Sequence, residues 1–255
     1  MEMAETVFVA FCLDQMERGD LMRAEAACTR ALDINPNNAD ARKLRGYAYL
    51  QMRRFDRAAS DFRVALKLKP KDHQNLAGYG QSLNGAHSYA AAALQFRKAL
   101  ALAPRTPSYL TGFCWTQAAS GQHLDRALAA CNRSLALEPK SPGTLNSRGL
   151  AYLRLRRFAR AIDDYSAALS TRPGLAQASF GRGLARLFLG ENGGVDDVMD
   201  ARRHDPQIDD EFISMGVLSP GCKARGKSAC PPGFPYPAPT TREPYVVTSL
   251  ERPAR

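Results

Sequence analysis

The chain has 255 residues with a mean hydropathy of −0.35, and 45% of them are hydrophobic, 24% charged and 8% aromatic. A chain of this length can bury a substantial core, and this composition excludes a fully disordered chain, a collagen-like chain and a multi-span membrane protein. No apolar run approaches the roughly 20 residues that cross a bilayer.

The formal net charge of +10 lies mostly in the body of the chain, because 29 of the 35 Lys and Arg residues precede Ile208. The densest clusters are Arg53 to Arg57 and Arg154 to Arg160. A basic surface of this kind can bind nucleic-acid phosphates. Both clusters fall in the same turn of a repeated unit, where arginines are usually solvated. We therefore favour solvated charges, and a nucleic-acid-associated basic solenoid is kept as an alternative.

Prolines mark an internal repeat along the chain. Their separations are 34, 34, 35, 34 and 33 residues, and they are Pro36, Pro70, Pro104, Pro139, Pro173 and Pro206. Five residues before each of them stands Ala or Ser, and twelve residues before the first five stands Ala. Such spacings keep these small residues on one face of a helix, and proline ends the helix that precedes it. The pattern predicts stacked two-helix units.

This pattern resembles the tetratricopeptide repeat (TPR) family, with its characteristic residues at positions 8, 11, 20, 24, 27 and 32. The second repeat matches with Gly46, Tyr49, Ala58, Phe62, Ala65 and Pro70, and the fifth with Gly149, Tyr152, Ala161, Tyr165, Ala168 and Pro173. The resemblance implies an all-α, right-handed superhelical solenoid of about six helix-turn-helix repeats, with an inner groove formed by the first helices. Its repeats would span residues 5–38, 39–72, 73–106, 107–141, 142–175 and 176–207, an array over 5–207.

The array should end in a capping helix over residues 208–218. Asp209, Asp210 and Glu211 suit the positive N-terminal end of a helix, and Gly216 suits its C-terminal stop. Residues 219–255 hold eight of the sixteen prolines and predict an extended or disordered tail.

Four cysteines occupy matched positions in two repeats. Cys12 and Cys28 stand at positions 8 and 24 of the first repeat, and Cys114 and Cys131 stand at those positions of the fourth, once its extra residue is allowed for. In such a helix pair, residues that lie side by side have position numbers that add up to about 32. Positions 8 and 24 meet this condition. The pairs are either helix-to-helix disulfides or reduced, buried cysteines.

The other four repeats carry glycine opposite a bulky residue at these positions. The expected pairs are Gly46 with Phe62, Gly80 with Phe96, Gly149 with Tyr165, and Gly183 with Met199. The glycines should lie where the two helices touch. The two tail cysteines, Cys222 and Cys230, could bridge each other or a partner.

The sequence as written begins without a basic segment, and its apolar run is interrupted at Asp14, so no export signal is expected and the cytoplasm is implied. A leader upstream of Met1 would instead make the protein periplasmic, as disulfides would require.

No arrangement typical of catalysis or metal binding emerges from the sequence. The four histidines fall near expected helix ends, and no C-x-x-C motif occurs. We therefore expect a non-enzymatic protein with no cofactor and no metal site.

The family's binding positions on the first helices are 2, 5, 9 and 12, because these point into the groove. The resemblance implies a partner-binding set of Lys43, Tyr47, Leu50, Gln81, Asn84, Thr111, Trp115, Asn146, Leu150 and Leu153. The leading hypothesis is a scaffold that binds a protein or peptide partner there. The alternatives are a nucleic-acid-associated solenoid, an envelope or secretion assembly factor, and a groove partly covered by the chain itself, with the capping helix on Phe180 or the tail over Trp115.

Overall fold

A computed structural model describes residues 2–223, 230–232 and 234, and every regular element in them is a helix. The all-α class is confirmed. The helices are α1 (Glu2–Glu17), α2 (Leu21–Ile34), α3 (Ala39–Gln51), α4 (Phe55–Leu68), α5 (His73–Gly85), α6 (Tyr89–Leu102), α7 (Pro107–Ser120), α8 (Leu124–Leu137), α9 (Pro142–Arg154), α10 (Phe158–Thr171), α11 (Ala176–Leu189), α12 (Gly194–His204), α13 (Ile208–Ser214) and α14 (Pro220–Lys223).

The first twelve helices form six consecutive pairs, one in each predicted repeat. Each second helix ends two residues before its proline, as α4 does at Leu68 before Pro70. The residue between them, such as Lys69, leaves the helical conformation because the proline ring disfavours it there. The proline period therefore sets where every repeat ends. In the described residues no helix is long and apolar enough to cross a membrane.

The aromatic residue at position 24 fills the space between neighbouring first helices. Phe62 is fully buried, and a Cβ added to Gly46 would stand 2.9 Å from its ring. Gly78, in the first helix of the next repeat, approaches the same ring from the other side. Glycine is required on both sides because a side chain would collide with the ring. The expected contacts of Gly46, Gly80 and Gly149 are confirmed, and Phe96 and Tyr165 have matching second glycines, Gly112 and Gly181.

Repeats 1 and 4 close differently. Disulfides join Cys12 to Cys28 and Cys114 to Cys131, with Cα atoms 5.4 and 5.5 Å apart, which is the first of the two expected alternatives. In these two repeats the cysteines stand in place of the glycine at position 8 and the aromatic residue at position 24. The repeat that follows then has no glycine at position 6: repeat 2 has Leu44 there, and repeat 5 has Ser147. All six cysteines are bonded, because Cys222 also pairs with Cys230.

The sixth repeat departs from the expected pairing. A Cβ on Gly183 would meet Val198 at 2.8 Å, whereas Met199 is 42% exposed. The expectation that Met199 packs on Gly183 is therefore wrong. This repeat is one residue shorter than the others, which rotates α12 by one position and turns Val198 inward.

Bidentate ion pairs tie the two helices together in repeats 2, 5 and 6. Arg45 donates to both carboxylate oxygens of Asp61 at 2.7 and 2.9 Å, and Asp61 is 4% exposed. The equivalent pairs are Arg148 with Asp164 and Arg182 with Asp197. Paired and hydrogen-bonded in this way, the carboxylates can be buried.

The region after the sixth repeat folds back onto the array. α13 buries Ile208 and Phe212, and Leu218 and Cys222 follow it into the core. The described part of the predicted disordered tail carries the helical turn α14, the disulfide between Cys222 and Cys230, and buried Phe234. Phe234 packs against the Phe180 ring of α11, and the Arg202 guanidinium of α12 stacks over it. Residues 224–229, 233 and 235–255 lie outside the described part of the chain.

Candidate functional site

The first helices of consecutive repeats pack side by side from α1 to α11 and form one continuous face of the solenoid. We call this the concave face. All ten residues predicted to bind a partner lie on these helices. They divide into three groups according to what surrounds them.

The central group lines an open cavity of about 340 Å³ between α5, α7 and α9, which we call the amide-lined cavity. Five predicted residues meet in it: Gln81, Asn84, Thr111, Trp115 and Asn146. The remaining lining residues are Phe96, Ser108, Gly112, Gly143 and Ser147. No charged residue lines the cavity, so its recognition chemistry consists of amides, hydroxyls and aromatic rings.

Two amides in this cavity are free to bind another molecule. The side chains of Gln81 and Asn146 make no hydrogen bond to any residue in the described ranges 2–223, 230–232 and 234. An amide side chain offers donors and an acceptor, which together match a peptide group. Asn84 is instead committed within the fold, because its Nδ2 donates to the Thr116 hydroxyl at 2.8 Å.

Trp115 supplies the aromatic surface of the cavity. It is half-buried, and its ring meets Tyr89 edge-on at a centroid distance of 6.0 Å. The edge contact fixes the ring and leaves part of it open to the cavity.

Thr111 lines the cavity but its hydroxyl points elsewhere. It shares hydrogen bonds of 2.6 Å with Thr144 and 3.0 Å with Ser134, both of which are fully buried. This hydroxyl cluster fills the place where other repeats have alanine at position 27. Thr111 therefore holds repeats 4 and 5 together, a role that the sequence pattern alone did not indicate.

The N-terminal group of predicted residues is engaged with its neighbours. Lys43 donates from Nζ to the Gln74 side chain at 3.0 Å, and Tyr47 donates from its hydroxyl to the Gln74 carbonyl at the same distance. Burial raises the pKa of Tyr47 above its ordinary value. Leu50 is half-buried against the cluster of Tyr49 and Phe62. These three residues therefore stiffen the entrance to the groove.

The C-terminal group is covered. Leu150 and Leu153 are each only 4% exposed and belong to the same core cluster as Phe212 and Met215. The expectation that they offer an open binding surface is corrected by this burial.

Of the two internal coverings considered from the sequence, the structure contains the first. Phe212 of α13 packs on Phe180 with ring centroids 4.6 Å apart, and Leu184 and Leu187 are buried with it. Phe234, the one described residue of the segment 233–239, packs on Phe180 as well, at 6.3 Å. The rest of that segment lies outside the described residues.

An arginine of α9 and a glutamate of α13 both act electrostatically on Tyr89. Arg154 donates from Nη2 to the carbonyl of Ala119 at 2.7 Å and also to the carbonyl of Met215. Burial lowers the pKa of Arg154. Burial likewise raises the pKa of Glu211, whose carboxylate accepts one hydrogen bond among the described residues, from Gln177 at 3.4 Å. Burial also raises the pKa of Tyr89, and Glu211 adds to this rise while Arg154 opposes it.

The basic turns are largely engaged within the fold. Arg54 and Arg57 approach Glu25 at 2.7 and 3.5 Å, while Arg53 and Arg156 stack over Phe55 and Phe158. Arg53 and Arg156 also adopt positive φ values of 59° and 56°, which close the turn. In the described residues no group of three or more His, Cys, Asp or Glu side chains could hold a metal ion.

Sequence comparison places the patterns of the tetratricopeptide repeat on residues 10–73, 46–109 and 117–186, which together span most of the chain. The curated proteins contain no match to it.

Solved structures with the same fold cover most of the chain. One, described as pilF of Pseudomonas aeruginosa, has a TM-score of 0.61 at 18% identity and covers 80% of this chain and 93% of its own. PilW, described as a type IV pilus biogenesis factor, has a TM-score of 0.64 at 22% identity, and the match covers 82% of this chain and 93% of PilW. A tetratricopeptide repeat protein from Parabacteroides merdae has a TM-score of 0.65 at 18% identity, and the match covers 84% of this chain and 83% of that one. At these identities the likeness shows the fold alone.

Proposed function

The chain belongs to the tetratricopeptide repeat family, and from that premise we propose that it is a non-enzymatic scaffold that binds an extended segment of a partner protein in the amide-lined cavity. The observation that carries the proposal is the pair of uncommitted amides, Gln81 and Asn146, beside the open part of Trp115.

The cavity chemistry suits a peptide backbone. Gln81 and Asn146 lie on α5 and α9, so they can reach main-chain groups on two sides of a segment lying across α7. Trp115 on α7 would pack against an apolar side chain of that segment. Because no charge lines the cavity, binding should depend little on salt.

The test uses the single tryptophan of the chain as its reporter. A random peptide library displayed on phage is selected against the full chain, and the affinity of the enriched peptide is measured by Trp115 fluorescence. Gln81→Ala and Asn146→Ala should each weaken binding about tenfold. Each variant lacks an amide that would hydrogen-bond the bound peptide, so a peptide group of that segment is left without a partner.

Gln51→Ala is the matched control, since it removes an exposed amide at the end of α3, outside the cavity. Equal affinity in all three variants, or an enriched peptide that leaves the Trp115 emission unchanged, would refute the cavity as the binding site.

A nucleic-acid role is a weaker candidate because the turn arginines are stacked or paired. It predicts retention on nucleic acid that falls steeply with salt concentration. No retention at physiological salt would remove it.

We also propose that the protein works in an oxidising compartment, as an assembly factor of an envelope would. The three disulfides support this proposal, since such bonds persist outside a reducing cytosol. Rapid alkylation of the protein from its native cell, followed by mass spectrometry, should find at most two free cysteines. Four or six free cysteines would contradict it.

A further inference from the structure

The part of the concave face beneath α13 is an apolar surface in its own right. We call it the C-terminal floor and define it by Leu150, Leu153, Phe180, Leu184 and Leu187, none more than 7% exposed. It lies beyond the amide-lined cavity, toward the end of the array. Phe212 of α13 and Phe234 both pack on Phe180 within it.

The segment that covers this floor is an amphipathic helix seated in a groove. Ile208, Phe212 and Met215 are spaced four and three residues apart, so they share one helical face. All three are buried, and Phe212 packs on Phe180. Arg154, on α9 of the array, donates to the Met215 carbonyl at the C-terminal end of that helix. A cation at this end complements the helix dipole. The array therefore offers both an apolar floor and a cap for a helix.

The occupant is poorly matched to its site. α13 has only seven residues, and helices this short are not stable by themselves. Among the described residues no cation bonds to Glu211, and its side chain accepts a single hydrogen bond, the long contact with Gln177. The Nε of Arg154 has no hydrogen-bond partner among the described residues. Burying such groups costs free energy.

We propose that the C-terminal floor is a receptor site for an amphipathic helix of another protein, and that α13 is a built-in occupant which such a helix displaces. The incoming helix carries bulky apolar residues spaced as Ile208, Phe212 and Met215, and an uncharged residue in place of Glu211. It binds in the same direction as α13, with its last carbonyls on Arg154.

The competition between the two helices is testable with the full chain and labelled peptides of residues 206–219. Phe212→Asp in the chain should release α13 from the floor. By fluorescence anisotropy, this variant should bind a peptide carrying Glu211→Gln at least about tenfold more tightly than the wild-type chain does. In the wild type the tethered α13 competes with the peptide at high effective concentration, and in the variant it does not.

Among peptides, the one carrying Glu211→Gln should bind more tightly than the unaltered sequence, and one carrying Phe212→Asp should not bind. Ser214→Ala in the chain is the matched control, since Ser214 is exposed and bonds only within α13. It should leave every affinity unchanged.

Hydrogen exchange read by mass spectrometry makes each outcome decisive. In the Phe212→Asp chain, residues 208–215 should lose protection from exchange while α1 to α12 keep theirs. Phe212→Ala replaces it if the aspartate variant does not fold. Retained protection of 208–215 in both variants would overturn the assignment of α13 as a displaceable occupant. Released α13 without gain of peptide binding would overturn the receptor site, and neither result bears on the amide-lined cavity.

Discussion

The two halves of the concave face are built from the same repeat but present opposite surfaces. Around Trp115 the face is open, uncharged and lined with amides, whereas around Phe180 it is apolar and covered by α13. The difference arises at a few positions of the first helices: Gln81 and Asn84 of repeat 3 correspond to Leu150 and Leu153 of repeat 5 and to Leu184 and Leu187 of repeat 6, and Asn146 of repeat 5 corresponds to Phe180 of repeat 6. A repeat fold can thus place two distinct binding chemistries along one groove.

The two halves should differ most in how strongly the loss of an aromatic side chain destabilises the protein. Phe180→Ala should lower the free energy of unfolding by about 3–5 kcal/mol, because it empties a fully buried site beneath Phe212 and Phe234. Trp115→Ala should cost about 1–2 kcal/mol, since that ring is half-buried and makes one edge contact. Denaturant titration checks both values. Equal losses would mean that the two halves are packed alike.

The halves also differ in how the repeats beneath them are closed. Repeat 4, under the open half, is closed by the disulfide between Cys114 and Cys131, with a sequence separation of 17. Replacing both cysteines by serine should lower the free energy of unfolding by about 3 kcal/mol, the chain-entropy value for a loop of this size. Denaturant titration of the double variant measures it.

Ser147→Ala is the control for this change, because Ser147 lies next to the site and bonds only to the Gly143 carbonyl. A double serine variant as stable as the control would contradict a stabilising disulfide.

Repeat 5, under the covered half, is closed by Tyr165 in place of phenylalanine. Its hydroxyl is buried and has no hydrogen-bond partner among the described residues. Tyr165→Phe should therefore raise the free energy of unfolding by about 1 kcal/mol, since it removes an unsatisfied polar group. Thermal melting of the two proteins side by side tests this. A loss of stability would show that the hydroxyl has a partner in solution.

The smallest expected effect concerns the docking of α13 and its pH dependence. Burial, reinforced by Asp205 and opposed by Gln177 and Arg53, raises the pKa of Glu211. The folded state then favours the protonated carboxyl, so the added stability is present at low pH and is lost as pH rises through the raised pKa. Protection factors of residues 208–215 should fall over that interval in the wild type and stay level in Glu211→Gln. Parallel profiles would contradict a buried carboxylate.

Much of the architecture follows from short sequence rules. The proline period sets the ends of the second helices, and the sum of positions 8 and 24 pairs Gly46 with Phe62 and Cys12 with Cys28. These rules work because they concern neighbours within one helix pair. Glycine at position 6 of the following repeat, as at Gly78, and the Arg–Asp pairs are equally regular and could have been read in the same way.

What the sequence did not reveal depends on contacts between distant parts of the chain. A helix after the sixth repeat was expected, but whether it packs on Phe180 depends on how the chain turns after Pro206. The orientation of Thr111 depends on Ser134 and Thr144, which belong to two different helices. The one-residue deletion in repeat 6 moved Val198 into the place expected for Met199.

If a partner binds in the open half of the concave face, residues of the amide-lined cavity should lie against the bound segment. Site-specific photo-cross-linking tests it most directly, with a photoreactive residue placed either at Ser108, which lines the amide-lined cavity, or at Leu94, an exposed residue of the second helix α6. The selected peptide should form adducts at position 108 and none at position 94. Adducts at position 94 alone, or equal yields at the two positions, would contradict it.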